Sequence, residues 1–186
     1  MILLMGKSGA GKDTVIELLK QRGFQKIVAY TTRPPRNGEV DGETYHFCKV
    51  SEFSDLLKKD YFIVTEIFFT NDGIWEYGVA RGDVSRDVLK KDDRTILVLN
   101  PKTGKKLVTE HPELEIKTIY LHCSTRILEK RLLERGDNPT ETLRRLAQDE
   151  QDFKDIGKWV DVEIYNGSGN PKVAVDSIIR YLENDR

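Results

Sequence analysis

Cysteine is scarce in this sequence, with Cys48 and Cys123 the only two among 186 residues. Two thiols are too few for a disulfide scaffold and no metal-ligand spacing surrounds them, so both read as reduced core residues. Long apolar runs are missing as well. The N-terminal MILLM stops at Gly6, and no 18-residue stretch has the character of a membrane span or a signal segment. Excess charge of either sign is also absent. Thirty Lys and Arg face 31 Asp and Glu, a net charge of -1, which gives no global attraction to nucleic acid or an anionic membrane. Internal repeats, low-complexity tracts and linkers do not occur. The expectation that remains is one cytoplasmic, enzyme-like domain, 38% hydrophobic and 33% charged, long enough to bury a proper core. The sequence carries no signature of oligomeric state.

What is present is an alternation of short apolar strands and amphipathic helices. A strand over 2–5 runs into a glycine-rich loop, and a helix follows over 12–22 with Val15, Ile16, Leu18 and Leu19 on its buried side and Gly23 as its stop. A second strand is predicted over 27–30, followed by a loop rich in Pro, Gly and charge. Ser51 is predicted to cap a helix carrying Phe53, Leu56 and Leu57, and the β-branched and aromatic run 62–69 reads as a strand. Buried parallel strands are predicted at 95–99 and 116–121, helices near 102–110, 125–135, 140–154 and 172–183, and a strand at 162–165. This order predicts a three-layer α/β fold.

The loop GKSGAGK contributes Gly6, Ser8, Gly9, Ala10 and Gly11, then Lys12. Its glycines let backbone N–H groups converge on phosphate oxygens, the helix adds its positive N-terminal end, and Lys12 supplies a charge for the β and γ phosphates. The pattern asks for a hydroxyl after the lysine. Here Asp13 stands in that place and Thr14 follows it. A carboxylate ~4 Å from a phosphate charge costs about 4 kcal/mol at an effective dielectric near 20, and an intervening divalent cation reverses the sign. Two readings stand: Asp13 holds Mg²⁺ directly or through water, or Asp13 is a solvent-facing acid at the helix start and Thr14 takes the metal.

The second constellation is TTRPPRNGEVDGETYHF. Arg33 and Arg36 are separated by a stiff Pro34-Pro35 pair, and Tyr45 follows. Guanidinium forks grip phosphate oxygens bidentately, and proline reduces the freedom lost when they do. Together with GKSGAGK, this stretch is very similar to the guanylate kinase family. The resemblance implies a P-loop kinase fold: a central parallel sheet, a small mixed monophosphate-binding subdomain and a helical lid. Segment by segment it implies a single kinase domain over 1–186, with a core of 1–30, 80–123 and 155–186, an insertion of 31–79 and a lid of 124–154. It also implies ATP and Mg²⁺ as cofactors and nucleotides as partners, with neither nucleic acid nor membrane. Tyr77-Gly78 resembles the pair that completes the monophosphate pocket. RLLERG, with Arg131 and Arg135, and TLRRLAQDE, with Arg145, are similar to the lid arginines, and Asn166 resembles the asparagine beside adenine. Arg131 and Arg135 lie one helical turn apart and are predicted to face the same side.

The base pocket departs from the family. Its usual serine, glutamate and serine or threonine are replaced by Ala29, Val64 and Val79, and the acidic D-x-D strand end by Val98 and Asn100. Glu66, two residues beyond Val64, shares its strand face; it either reaches the donors of a guanine edge or faces solvent. The FFTNDGIWE segment is longer than usual, and its Phe69 and Trp75 read either as base-stacking rings or as core. The implied activity is ATP-dependent phosphoryl transfer to a nucleoside monophosphate, GMP or dGMP foremost. The alternatives are another nucleotide, a sugar phosphate, or a non-catalytic binding module of the same fold.

Overall fold

In the computed structural model, which describes residues 1–70, 73–85 and 94–184, β1 (Ile2–Met5) is buried at every position. Such a strand must be covered on both faces, and it is the middle of five parallel strands. Their order is β2 (Gln25–Lys26), β7 (Thr95–Val98), β1, β8 (Lys117–His122), β9 (Val162–Tyr165). Alternation along β1 divides the core in two. Ile2 and Leu4 pack with Ile16, Leu19, Val175 and Ile178 of α1 (Lys12–Lys20) and α6 (Pro171–Asn184). Leu3 and Met5 face the other way, against Leu107 of α3 (Pro101–Glu110) and Phe153, just beyond α5 (Pro139–Asp152). The three-layer α/β expectation is met.

The chain leaves this sheet where a single strand was expected at 27–30. The Ile27 amide still donates to Ile96 O at 2.8 Å, but β3 (Tyr30–Thr31) belongs to a second sheet. That sheet has the order β4 (His46–Phe47), β3, β6 (Gly73–Ala80), β5 (Phe62–Thr70) and is mixed, with β3 parallel to β4 and antiparallel to β6. The expected strand is therefore a handover, with Ala29 at its midpoint. The segment read as longer than usual is the turn end of the β5–β6 hairpin, a strand β6 that the sequence reading did not name, and residues 71–72 of it lie outside the described residues. So do residues 86–93 of the predicted core segment 80–123.

Helix starts follow local chemistry. The helix expected to begin at Ser51 is α2 (Val50–Lys58), and its cap lies earlier: the Lys49 amide donates to the Glu52 carboxylate at 2.8 Å. Asn100 caps α3, accepting from the Thr103 amide at 2.8 Å, and Pro101 follows where its missing N–H costs nothing. Asn138 does the same for α5, accepting from Thr140 and Glu141. α4 (Thr125–Glu134) and α5 form the helical lid. Leu128, Leu132 and Leu146 of this pair enclose Ala10, so lid and phosphate loop share a small core of their own.

Candidate active site

The turn between β1 and α1 is shaped by its glycines. Gly9 and Gly11 have φ of 79° and 86°, a region closed to most side chains, and a Cβ on Gly11 would come within 2.7 Å of the Asn166 amide. Gly6 is held by proximity, since a Cβ there would stand 2.7 Å from Leu121 O. Lys12 folds back over the loop, donating to Gly6 O at 2.6 Å and Lys7 O at 3.3 Å. Enclosure lowers its pKa, with Arg135 adding to the effect and Asp13 and Asp149 opposing it. Two residues fasten the loop from behind. Asn166, buried, donates to Ala10 O at 2.8 Å, and Arg131 donates to Gly9 O and Ala10 O and, at 2.9 Å, to Asn166 O. The two arginines expected to share a side thus have different partners: Arg131 grips the loop, while Arg135 holds Asp137 at 2.8 Å.

The Arg33 guanidinium is buried at the base of the second constellation. It donates to both oxygens of Glu39 at 2.8 and 2.9 Å and to the Tyr77 hydroxyl at 3.2 Å. Glu39 also accepts from the Arg36 amide at 2.7 Å, which fixes the turn between the prolines and Gly38. Arg36 itself extends into solvent-facing space. Its guanidinium makes no hydrogen bond or ion pair among the described residues, and partial desolvation with Arg33 and Arg145 nearby lowers its pKa. Tyr45 packs edge-on against Tyr77, and burial pushes its hydroxyl up to about 12. Gly78 lies flush against the Phe62 ring, where a Cβ would come within 2.7 Å.

One cleft of about 890 Å³ joins these parts. Asp13 and Glu17 of α1, Arg36 and Glu39 of the clamp, and Arg135 and Arg145 of the lid line it. Arg145 is held by Asp137 at 3.1 Å and by Glu141 at 2.9 Å, and the guanidiniums of Arg144 and Arg145 hold Glu141 down at about 2. Asp13 and Thr14 are exposed in the first turn of α1, and Asp13 makes no hydrogen bond or ion pair among the described residues. The far end of the lid reaches the phosphate loop: Asp149 accepts from the Ser8 amide at 2.6 Å, and Glu150 pairs with Lys7.

The expected base positions are filled by the core. Val64 and Val79 are buried in the second core cluster with Leu3 and Met5, and Ala29 packs against it. Glu66 does not face bulk solvent. It lies directly opposite Tyr77 on the inner face of the mixed sheet, accepts hydrogen bonds from the Asn100 amide and Thr103, and has its pKa raised by burial. Phe69 is on the outer face and exposed, whereas Trp75 pairs with Phe68 on the inner face. Sequence reasoning missed Glu39, Asp137 and Asp149 as partners of the site, and Lys26, which also lines the cleft. Glu39 had a signal, its place three residues after Arg36 in a proline turn.

A glycine loop between a central strand and helix, a mixed sheet carrying an arginine clamp, and an arginine-bearing helical lid define a P-loop kinase. The family model described as guanylate kinase matches residues 1–171. Guanylate kinases of Nostoc sp. and Synechocystis sp. are 32% and 31% identical, each over 89% of this chain and over 81% and 85% of their own lengths. That of Fusobacterium nucleatum is 28% identical over 99% of this chain and 96% of its own. The crystal structure of guanylate kinase from Anaplasma phagocytophilum matches 100% of this chain and 85% of its own, with a TM-score of 0.76 and 25% identity. The chain belongs to the guanylate kinase family. No helix among the described residues is long and apolar enough to cross a membrane.

Proposed function

We propose that this chain transfers the γ-phosphoryl group of ATP to the phosphate of a nucleoside monophosphate, GMP or dGMP foremost. The observation that carries the reading is the shared cleft, onto which the first turn of α1, the Arg36 clamp and the lid arginines all open. The phosphate of a monophosphate is mostly a dianion near neutral pH, its second pKa being about 6, so no side chain need deprotonate it. What remains is positioning and charge stabilisation. The loop amides and Lys12 hold the donor phosphates. Arg33, Arg36, Tyr45 and Tyr77 hold the acceptor phosphate, and Arg135 and Arg145 move from their carboxylates onto the equatorial oxygens as the lid closes and excludes water. Arg131 and Asn166 keep the loop amides aimed. The insertion 31–79 and lid 124–154 are the parts that move against the core, and a nucleotide enzyme of this kind works in the cytoplasm.

Asp13 fits a magnesium role. Mg²⁺ is commonly held by one or two carboxylates with phosphate oxygens and water completing its shell, and Asp13 is a carboxylate beside the phosphate loop with no partner among the described residues. A divalent cation held by Asp13 would supply positive charge to offset that of the donor phosphates. Asp13→Asn is expected to raise the Mg²⁺ concentration needed for half-maximal ATP binding, read by calorimetry, while leaving metal-free ATP binding near its original strength. An unchanged magnesium requirement returns the role to Thr14.

Glu66 supports guanine as the base. Its carboxylate lies across from Tyr77, and with four lone-pair sites it has acceptors left after Asn100 and Thr103. A panel of GMP, dGMP, AMP, CMP, UMP, dTMP and ribose 1,5-bisphosphate tests this by ADP release. Turnover is expected for GMP or dGMP, and Glu66→Gln should raise the acceptor KM by about tenfold with the ATP KM unchanged. Turnover of another acceptor moves the substrate, and silence across the panel ends the kinase reading.

A further inference from the structure

Five cationic side chains line the cleft, and three of them hold carboxylates: Lys20 with Glu17, Arg135 with Asp137, and Arg145 with Asp137 and Glu141. Lys26 and Arg36 hold none among the described residues. Lys26 comes from β2, the edge strand of the core sheet, and reaches across to the clamp loop. There its ammonium donates to Thr44 O at 2.9 Å and stands 5.5 Å from the centre of the Tyr45 ring. The Arg33 guanidinium lies 5.6 Å from the same ring centre, and the Tyr45 hydroxyl has no hydrogen-bond partner among the described residues.

We propose that Lys26 binds the phosphate group of the acceptor as a third cation beside Arg33 and Arg36. The assignment rests on the reading of this cleft as the site of a phosphorylated acceptor. An ammonium carries three donors, and Thr44 O engages one. A tie between strand and loop needs a single donor and no charge, whereas Lys26 carries both a spare pair of donors and a charge that burial makes costly. Of the nearby carboxylates, Asp13 favours the charge most but forms no ion pair with Lys26 among the described residues, Glu17 is held by Lys20 and Glu39 by Arg33, and burial still outweighs them. Arg33 is itself neutralised by Glu39, so Arg36 alone offers the clamp an uncompensated charge. A dianionic phosphate calls for a second, and Lys26, 5.5 Å from the centre of the Tyr45 ring, supplies it.

The test is GMP binding by calorimetry alongside steady-state kinetics, on the unchanged chain, Lys26→Gln and Lys26→Arg. Glutamine keeps a donor for Thr44 O and removes the charge; arginine keeps the charge. Lys26→Gln is expected to weaken GMP binding and raise its KM by about tenfold, with the ATP KM within about twofold and the melting temperature unchanged, while Lys26→Arg restores most of the affinity. If Lys26→Gln binds GMP as the unchanged chain does, or if ATP and GMP weaken equally, Lys26 is a structural tie and the assignment falls while the kinase reading stands. If the unchanged chain neither binds nor turns over GMP, the acceptor reading falls and takes this assignment with it.

Discussion

Lys12→Ala is expected to lower turnover by roughly three orders of magnitude with little change in melting temperature. Removing one preorganised charge or donor aimed at a transition state typically costs 10²–10³ in rate, and a phosphoryl transfer without a general base leans on such groups almost entirely. The fold has little at stake. Among the described residues the Lys12 ammonium hydrogen-bonds only to the carbonyls of Gly6 and Lys7, which the loop can turn to water, and Ala10, Arg131 and Asn166 still hold the loop in shape. Steady-state ADP release and a thermal melt check both halves. Near-normal turnover would remove the phosphate loop from the mechanism.

Arg36→Ala is the second large effect, expected as a fall in kcat/KM for the acceptor of about a hundredfold or more, with ATP binding preserved. A charge-assisted bidentate contact to phosphate is among the strongest polar contacts a protein makes, and at Arg36 no ion pair among the described residues offsets it. Arg33 gives a less clean experiment. Removing it strands the partly buried Glu39 carboxylate and takes a donor from the Tyr77 hydroxyl, so loss of binding would be mixed with loss of fold. Kinetics with ATP and acceptor varied separately decide the matter for Arg36: equal losses in both, or none, would mean that the guanidinium does not meet the acceptor.

Much of this was legible because it is local. The phosphate loop is a spacing of glycines and a lysine, and the clamp is two arginines on a proline turn; each is complete within a few residues. Val64, Val79 and Ala29 announced the loss of hydrogen bonds to a base edge. That the first two join the main core, and that Asn100 becomes a helix cap bonded to Glu66, needed the two sheets in place. β6 was hidden because Gly73, Glu76 and Gly78 interrupt its apolar pattern; its pairing with β5 supplies the order that the side chains do not signal. Asp149 carried no signal at all. Its partner, the Ser8 amide, is 141 residues away in the chain.

The acidic partners of the site set the character of its binding. Arg33 rests on Glu39, Arg135 and Arg145 on Asp137, and the Ser8 amide on Asp149. A phosphate arriving at these groups does not fill a hungry cationic hole; it exchanges places with an anion the chain already owns. Each exchange is close to neutral in charge, so the free energy released is the small difference between a phosphate oxygen and a carboxylate oxygen rather than the whole attraction of a bare guanidinium. Departure proceeds on the same terms, because a displaced carboxylate tethered a few ångströms away returns as product leaves. These paired groups hold their guests lightly, leaving Arg36 to supply the net attraction, and a catalyst that must release two nucleotides each cycle gains from that division.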